Sequence, residues 1–482
     1  MNTLHQLLSL VRLGEAQTNQ NLTIVPILAS WEDSDAMPMS EALVTEDFVV
    51  AEVEDGGSVS EVLVRNRLSW PVLLLEGEEV LGAQQNRVIN STILIAPNSE
   101  TRIPVSCSEQ GRWQEVSDRF ADSGVIAPPS VRATKVESVS RSLRDGNSRA
   151  SDQSAVWAAI DDIASRAGTH RATGAMRDVF DGRSEDLETL VSQIAMLPEQ
   201  VGCIAIINGD VVGLDCVPTP AVCQSIFPKL VRSYAMEAIL APASSGWDDS
   251  DATAHQFLGE CSPCEEFSFQ GVGLGTENRY DGTSVIGSAL VHDERLIHAA
   301  LHRRTPPTPF PRSYWVRPGR LLAGYYPGDV TKEAAAEKIS SLLDAGIQFV
   351  VNLVEEDEKG AGGKSLRSYA TLLAAEARSR HIDVSYVRIP IPDVSVPSVS
   401  TMRLILGAID SALDEGRPTY VHCWGGRGRT GTVVGCYLAR HRTETDEDAL
   451  TTIARLRRGE ETGSKASPET VEQCDMVRAW AG

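Results

Sequence analysis

In the first third of the chain the apolar residues fall into short runs separated by Gly, Asn and Asp clusters, and only the opening segment departs from this. There Leu4, Leu7, Leu8, Leu10, Val11 and Leu13 recur at a spacing that predicts a short amphipathic helix within residues 1–20. Runs at 22–28, 59–64 and 70–75 are rich in Val, Ile and Leu and predict strands. Between two such runs lies a dense polar set, Glu78, Glu79, Gln84, Gln85, Asn86, Arg87 and Asn90, followed by Glu109, Arg112 and Trp113. One reading makes these turn and surface residues; the other makes them a polar pocket for a small ligand. Residues 121–155, rich in Pro, Ser and Arg, predict a long loop or a subdomain crossing, and helices are expected at 153–166, 185–195 and 229–240. Two hairpins are expected, at 203–214 around Asn208-Gly209 and at 286–298. The whole reads as a larger N-terminal α+β domain over 1–303, with no nucleophile constellation in it.

A proline-rich stretch at 304–312 predicts an extended connector, and beyond it the periodicity changes. Over 313–482 a strand pair at 313–328 precedes a helix at 332–343, a buried strand at 348–354, a Gly-rich turn, a helix at 366–379 and a strand at 384–389. A helix at 400–413, a strand at 417–421 and an apolar helix at 432–438 complete the series. Strands alternating with helices predict an α/β fold, a largely parallel sheet flanked by helices, whose ligands bind beyond the carboxyl ends of the strands.

Composition narrows the partners. The chain has 482 residues, 42% hydrophobic and 23% charged, with a formal net charge of -22. Residues 1–304 hold 22 Lys+Arg against 43 Asp+Glu, and 305–482 hold 22 against 23, so the acidity belongs to the first region. Such a surface disfavours nucleic acid and anionic membrane as partners. No apolar run approaches the roughly 20 residues of a membrane span and no leader pattern stands near residue 1, which predicts a cytoplasmic protein. Nine scattered cysteines fit a reducing compartment. The close pair Cys261 and Cys264 is read as incidental thiols, or as half of a metal site if further ligands join it.

The chemistry concentrates in Val421-His422-Cys423-Trp424-Gly425-Gly426-Arg427-Gly428-Arg429-Thr430-Gly431. A strand end, a glycine-studded loop and a helix start bring free backbone N–H groups and the positive end of a helix dipole to one centre, which suits an anion. Gly425, Gly426 and Gly428 let the backbone curl so that those N–H groups converge. A thiolate in that field, beside arginines, is stabilised and nucleophilic at neutral pH. Arg429 offers two parallel donors to phosphoryl oxygens, and Thr430 is expected to hydrogen-bond the sulfur.

This stretch resembles the signature loop of the cysteine-based protein-tyrosine and dual-specificity phosphatases, complete from His422 to Gly431, with similarity over about 313–482 that includes Trp424. The resemblance implies the cysteine-phosphatase fold, Cys423 as nucleophile and Arg429 as phosphate clamp. It also implies a loop acid ahead of the cysteine, a role that falls to Asp393 in Pro390-Ile391-Pro392-Asp393. Cys423 then takes the phosphoryl group while Asp393 protonates the leaving oxygen, and water activated by Asp393 releases phosphate. No metal or cofactor is called for, because Arg429 and the loop amides neutralise the charge. His422 orients the loop; Gln473 either places the water or is a helix-surface residue. Arg427, read as a second cation inside the loop, resembles the basic loops of phosphatases acting on multiply phosphorylated small molecules, and it would also serve a phosphoprotein with acidic flanks.

Gly77 to Arg87, Ile103 to Trp113 and Asp152 to Trp157 resemble the ARG-and-rhodanese-phosphatase-associated domain, a prokaryotic module, over about 1–303. That implies an ADP-ribose-related ligand for this region. The expected substrate is a phosphorylated protein carrying phosphotyrosine, phosphoserine or phosphothreonine. Two alternatives stand beside it: a small phosphate ester of nucleotide-sugar or inositol type, and a binding protein whose loop only captures phosphate.

Overall fold

In the computed structural model the described residues are 3–29, 34–53, 60–112, 117–169, 173–241, 250–304, 306–360, 368–441 and 448–480. Trp113 and most of the expected Gly-rich turn, at 361–367, lie outside them. The chain divides into two compact units, Met1–Arg304 and Thr305–Gly482.

Unit 1 is mixed α and β. A nine-stranded antiparallel sheet runs from Arg12–Leu13 through Leu22–Leu28, Gln200–Ile207, Asp210–Cys216, Arg295–Arg303, Val285–His292 and Thr276–Asp281 to Glu265–Gln270, with Gln17–Asn19 beside Leu22–Leu28. Both expected hairpins form, and their turns need positive φ: Asn208 and Gly209 stand at 52° and 77°, Asp293 and Glu294 at 50° and 62°. Two residues with positive φ make the turn whose twist matches that of the flanking strands. The opening helix is shorter than its leucine spacing suggested, Thr3–Leu10, after which the chain pairs as strand.

Residues 121–155 are not a long loop. They form most of the strand Phe120–Ile126 and the 16-residue helix Pro129–Arg144, with Pro129 at its first turn, where the missing N–H is harmless. The helix's buried face mixes Val131, Val136, Val139 and Leu143 with Arg132 and Lys135, which breaks the apolar period that marks a helix in sequence.

The polar set between the strands is mostly buried, which overturns the surface reading. Glu78, Glu79 and Arg87 lie in strands and are at most 1% exposed. Beside them, Arg132 Nε donates to Glu76 Oε1 at 2.9 Å, and its terminal nitrogens grip Asp215 at 2.9 and 2.6 Å. His298 links Asp215 (3.3 Å) to Thr92 (2.7 Å), His302 meets Glu76 at 3.3 Å, and the Tyr234 hydroxyl donates to Asp215. Arg132 holds the Asp215 and Glu76 carboxyls below their usual range despite burial, while burial pushes the Lys135 ammonium down to about 7.

Removing one partner of such a set leaves the rest as uncompensated buried charge. Arg132→Ala is therefore expected to lower the stability of unit 1 by about 3–5 kcal/mol in urea titrations. Arg65→Ala, at an ion pair whose side chains are 47% and 57% exposed, should change it by less than about 1 kcal/mol.

Unit 2 carries a five-stranded sheet in the order Ser313–Arg317, Leu321–Gly324, Thr419–His422, Phe349–Asn352, Ser385–Arg388. All neighbours are parallel except the first pair. One buried cluster joins Ile405, Leu406 and Ile409 of helix Val399–Asp414 to Val433, Val434 and Cys436 of helix Gly428–Arg440, and a second joins Ile339 and Leu342 of helix Lys332–Asp344 to Leu373 of helix Ala370–Ser379. The α/β expectation holds here. Thr419–His422 sits at the centre of the sheet, so the loop that follows it leaves from the middle of the carboxyl edge.

Candidate active site

Cys423 follows the central strand, and the next helix begins at Gly428, four residues earlier than the apolar pattern suggested. The early start puts Arg429 and Thr430 on its first turn, where backbone N–H groups have no helical partner. Gly426 has φ of 77°, and a Cβ there would lie 2.8 Å from the Gly324 carbonyl carbon and 2.9 Å from Tyr325 N. A Cβ on Gly428 would meet Glu469 Oε2 at 2.7 Å, whereas one on Gly425 meets open space. Gly426 is thus sterically required, since backbone crowds it, whereas Gly428 faces only the ends of the Glu469 and Gln473 side chains; Gly425 contributes its carbonyl, which accepts from Arg312 Nη2 at 2.8 Å.

Cys423 is 2% exposed, and its sulfur accepts the Gly426 N–H at 3.2 Å. The expected Thr430–sulfur bond is not the one formed. Thr430 Oγ1 instead accepts the Cys423 backbone N–H at 2.8 Å and reaches the Gly324 carbonyl at 3.4 Å. Its hydroxyl fixes the main chain beneath the sulfur rather than the sulfur itself. Trp424 is 38% exposed at the rim, its carbonyl held by Tyr326 N at 3.1 Å.

Arg429 is turned inward, with a side chain 2% exposed. Its terminal nitrogens donate to the two carboxylate oxygens of Glu358, both at 2.6 Å, and Nη1 also donates to the Ile391 carbonyl at 3.0 Å. Asp393 Oδ1 lies 2.9 Å from Nη2, and the Asp393 side chain is 59% exposed. A guanidinium has five N–H groups. With three directed at Glu358 and Ile391, the Nε–H and the Nη2–H facing Asp393 remain for a phosphoryl group. Both the end-on fork to Glu358 and the side-on approach left for an anion differ from the free fork expected from the sequence.

Glu358 was not among the sequence candidates. The available signal was the acidic run Glu355-Glu356-Asp357-Glu358 just beyond the strand Phe349–Asn352, on the same carboxyl edge as Cys423. Glu358→Gln keeps the shape but replaces one acceptor by an amide N–H that faces a guanidinium N–H. Misplacing Arg429 in this way is expected to lower kcat/KM by roughly 10- to 100-fold on an aryl phosphate, measured by steady-state kinetics, while the fold is retained.

His422 is fully buried. Its Nδ1 meets the Cys423 carbonyl at 3.1 Å and its Nε2 meets the Tyr369 hydroxyl at 2.5 Å, with the ring stacked on Tyr420 at 5.3 Å. Burial, reinforced by the Arg429 charge, pushes its pKa down to about 3. The ring stays neutral, donating from Nδ1 to the Cys423 carbonyl and accepting at Nε2 from the Tyr369 hydroxyl. The unfolded chain takes up this proton near 6.5, so the contribution of His422 to stability is complete above that pH and is lost as pH falls toward 3.

Arg427 does not face into the loop. Its Nε and Nη2 donate to the Ala466 carbonyl at 3.3 and 3.2 Å, and Nη1 pairs with Glu469 at 3.2 Å. Gln473 is not a surface residue, and its amide is held by backbone. It is 1% exposed, its Oε1 accepts the N–H groups of Glu469 and Thr470 in a capping box, and its Nε2 donates to the Ser395 carbonyl at 3.1 Å. Ser467 Oγ donates to the Arg427 carbonyl at 2.8 Å. The segment 466–473 thereby holds the cysteine loop through Arg427 and the Asp393 loop through Ser395.

Comparison with known proteins adds two family matches. Residues 10–302 match the ARG and Rhodanese-Phosphatase-superfamily-associated Protein domain, and residues 327–443 match a polymorphic toxin system DSP-PTPase phosphatase. The phosphatidylglycerophosphate phosphatase PTPMT2 of Arabidopsis thaliana is 31% identical over 119 residues, 24% of this chain and 52% of that protein. Putative tyrosine phosphatase 067L of Invertebrate iridescent virus 3 is 30% identical over 131 residues, 26% of this chain and 45% of that protein. The chain thus spans about half the length of these curated relatives. Among solved structures, Tk-PTP in its active form is 27% identical, with 35% of this chain and 95% of that one covered and a TM-score of 0.26. No described helix is long and apolar enough to cross a membrane.

Proposed function

Because the chain belongs to the family of the ARG and Rhodanese-Phosphatase-superfamily-associated Protein domain and carries a DSP-PTPase match behind it, we propose that residues 305–482 hydrolyse phosphate monoesters through a phosphocysteine. The observation that carries this reading is the juxtaposition at one strand end of a sulfur held by a loop N–H and an inward arginine that Glu358 holds end-on and whose Nη2 otherwise meets the exposed carboxylate of Asp393.

In the first step Cys423 Sγ attacks phosphorus, the bond to the leaving oxygen breaks, and Asp393 gives that oxygen a proton. The incoming phosphoryl oxygens take the Arg429 Nε–H and the Nη2–H that Asp393 now faces, which frees the carboxyl to meet the leaving group. Loop amides and Arg429 stabilise the equatorial charge, fixed in advance by Glu358 and Thr430. Water then attacks the phosphocysteine while Asp393 accepts a proton, and phosphate leaves.

For substrate we favour a phosphorylated protein side chain over a multiply phosphorylated small molecule, because the Arg427 charge that would bind extra phosphates is already paired with Glu469. The relatives include a putative tyrosine phosphatase and a phosphatidylglycerophosphate phosphatase. A panel of phosphotyrosine and phosphoserine peptides, inositol phosphates and phosphatidylglycerophosphate in detergent tests the choice. The expected result is the highest kcat/KM on a phosphopeptide; a lipid or inositol phosphate ranking first would reverse it.

A further inference from the structure

The proline-rich stretch that reads in sequence as an extended connector ends against the cysteine loop. Trp315 Nε1 donates to the Pro306 carbonyl at 2.8 Å, and Ser313 Oγ donates to the Phe310 carbonyl at 2.7 Å. The buried Phe310 ring stands edge-on to Tyr325 and Tyr420, with centroids 5.4 and 6.0 Å away, and Glu461 N donates to the Pro311 carbonyl at 2.8 Å. Tethered in this way, the half-buried Arg312 lies over the Tyr325 ring at 4.7 Å, and its Nη2 donates to the Gly425 carbonyl at 2.8 Å.

In a trans peptide the carbonyl and the next N–H point in opposite directions, so whatever holds the one aims the other. The Gly425 carbonyl belongs to the same peptide as the Gly426 N–H, which donates to Cys423 Sγ at 3.2 Å. Two other peptides of the loop are held in the same manner, the Trp424 carbonyl by Tyr326 N at 3.1 Å and the Arg427 carbonyl by Ser467 Oγ at 2.8 Å. Carbonyls drawn outward leave N–H groups facing an anion. The Gly425–Gly426 peptide most needs such a hold, because neither flanking residue has a Cβ and a Cβ on Gly425 would meet open space, so the plane can turn over at little steric cost. Turned over, it would present a carbonyl oxygen to the phosphoryl group. A charged donor makes the stronger hydrogen bond to that carbonyl, and its positive charge adds to the field that the loop offers an anion.

We infer, on the reading of the loop as a phosphate site given above, that Arg312 is a positioning residue for the reaction at Cys423. Its guanidinium locks the Gly425–Gly426 peptide with the N–H directed at the sulfur and at the phosphoryl oxygens that arrive there. Arg312 touches neither the substrate nor the reacting atoms and acts through that one peptide plane. It lies 113 positions ahead of Gly425, outside the loop motif.

Steady-state kinetics of the full chain on a nitrophenyl phosphate, with inorganic phosphate as competing inhibitor, test this in Arg312→Ala and Arg312→Lys. Arg312→Ala is expected to lower kcat/KM and to raise the inhibition constant for phosphate, each by about tenfold, less than the roughly 10^2- to 10^3-fold that follows outright removal of a donor to an oxyanion. Arg312→Lys keeps a cationic donor and is expected to fall between that variant and the parent. An inhibition constant does not depend on how much of the protein is folded, so it separates positioning from support of the fold. If KM and phosphate inhibition in Arg312→Ala equal those of the parent, with only the amount of active enzyme reduced, the assignment is overturned and the chemistry at Cys423 stands. A parent that neither hydrolyses the ester nor binds phosphate would overturn the reading of the loop, and the role of Arg312 with it.

Discussion

Cys423→Ser is expected to lower turnover of an aryl phosphate by at least about 10^4-fold without unfolding unit 2. Serine is nearly isosteric, and the Gly426 N–H that reaches sulfur at 3.2 Å can bond an oxygen equally well. What changes is the reactivity. A hydroxyl stays protonated at neutral pH, and His422, already neutral and committed to Tyr369 and the Cys423 carbonyl, is not placed to take its proton. The same variant should bind phosphate at least as well as the parent, since the amide ring and Arg429 are untouched. Loss of turnover with retained binding separates catalysis from capture. Equal turnover in the two proteins would leave only the phosphate-binding reading.

Asp393→Asn is expected to produce the next largest effect, and one that depends on the leaving group. General acid catalysis contributes about 10^2- to 10^4-fold when the departing oxygen is a poor leaving group and much less when it departs as a stable phenolate. An alkyl or seryl phosphate should therefore lose far more than a nitrophenyl phosphate in the same variant. Asp393 is 59% exposed, and among the described residues its ion pair is with Arg429 Nη2, a placement that leaves an acid room to move. Its neighbour Val394, a β-branched residue, is held at φ of 56°, a conformation that costs energy and is met where a turn is over-determined by its surroundings. The Gln473–Ser395 bond supplies that restraint one residue further on. A uniform loss on every leaving group would assign Asp393 to holding Arg429 rather than to proton transfer.

The parts of the site that are local in sequence were legible. A cysteine, an obligatory glycine and an arginine within seven residues set their own geometry, because strand, loop and helix start are covalently continuous. Partners supplied from elsewhere were not legible. Glu358 precedes Arg429 by 71 residues, and no spacing rule links an acidic run after one strand to a guanidinium after another. Arg427 misled for the same reason, since its direction is set by Ala466 and Glu469, residues that the loop sequence does not contain.

Unit 1 taught the opposite lesson about polarity. Residues between strands that carry charge read as surface when taken singly, yet Glu76 is buried against Arg132 and His302, 56 and 226 positions away. Burial of such groups depends on pairs that form only after the sheet has assembled, and no local window contains both members. The helix Pro129–Arg144 was hidden by the same fact, because two cations of that network stand on its inner face.

In the proposed reaction phosphorus passes through the sulfur of Cys423. Rapid quenching of the enzyme during turnover of a phosphotyrosyl peptide, followed by acid digestion and mass spectrometry, reads that transfer directly. A phosphoryl group on the peptide that contains Cys423, appearing before free phosphate and absent from Cys423→Ser, is the predicted result. Steady release of phosphate with that peptide never modified would contradict the account.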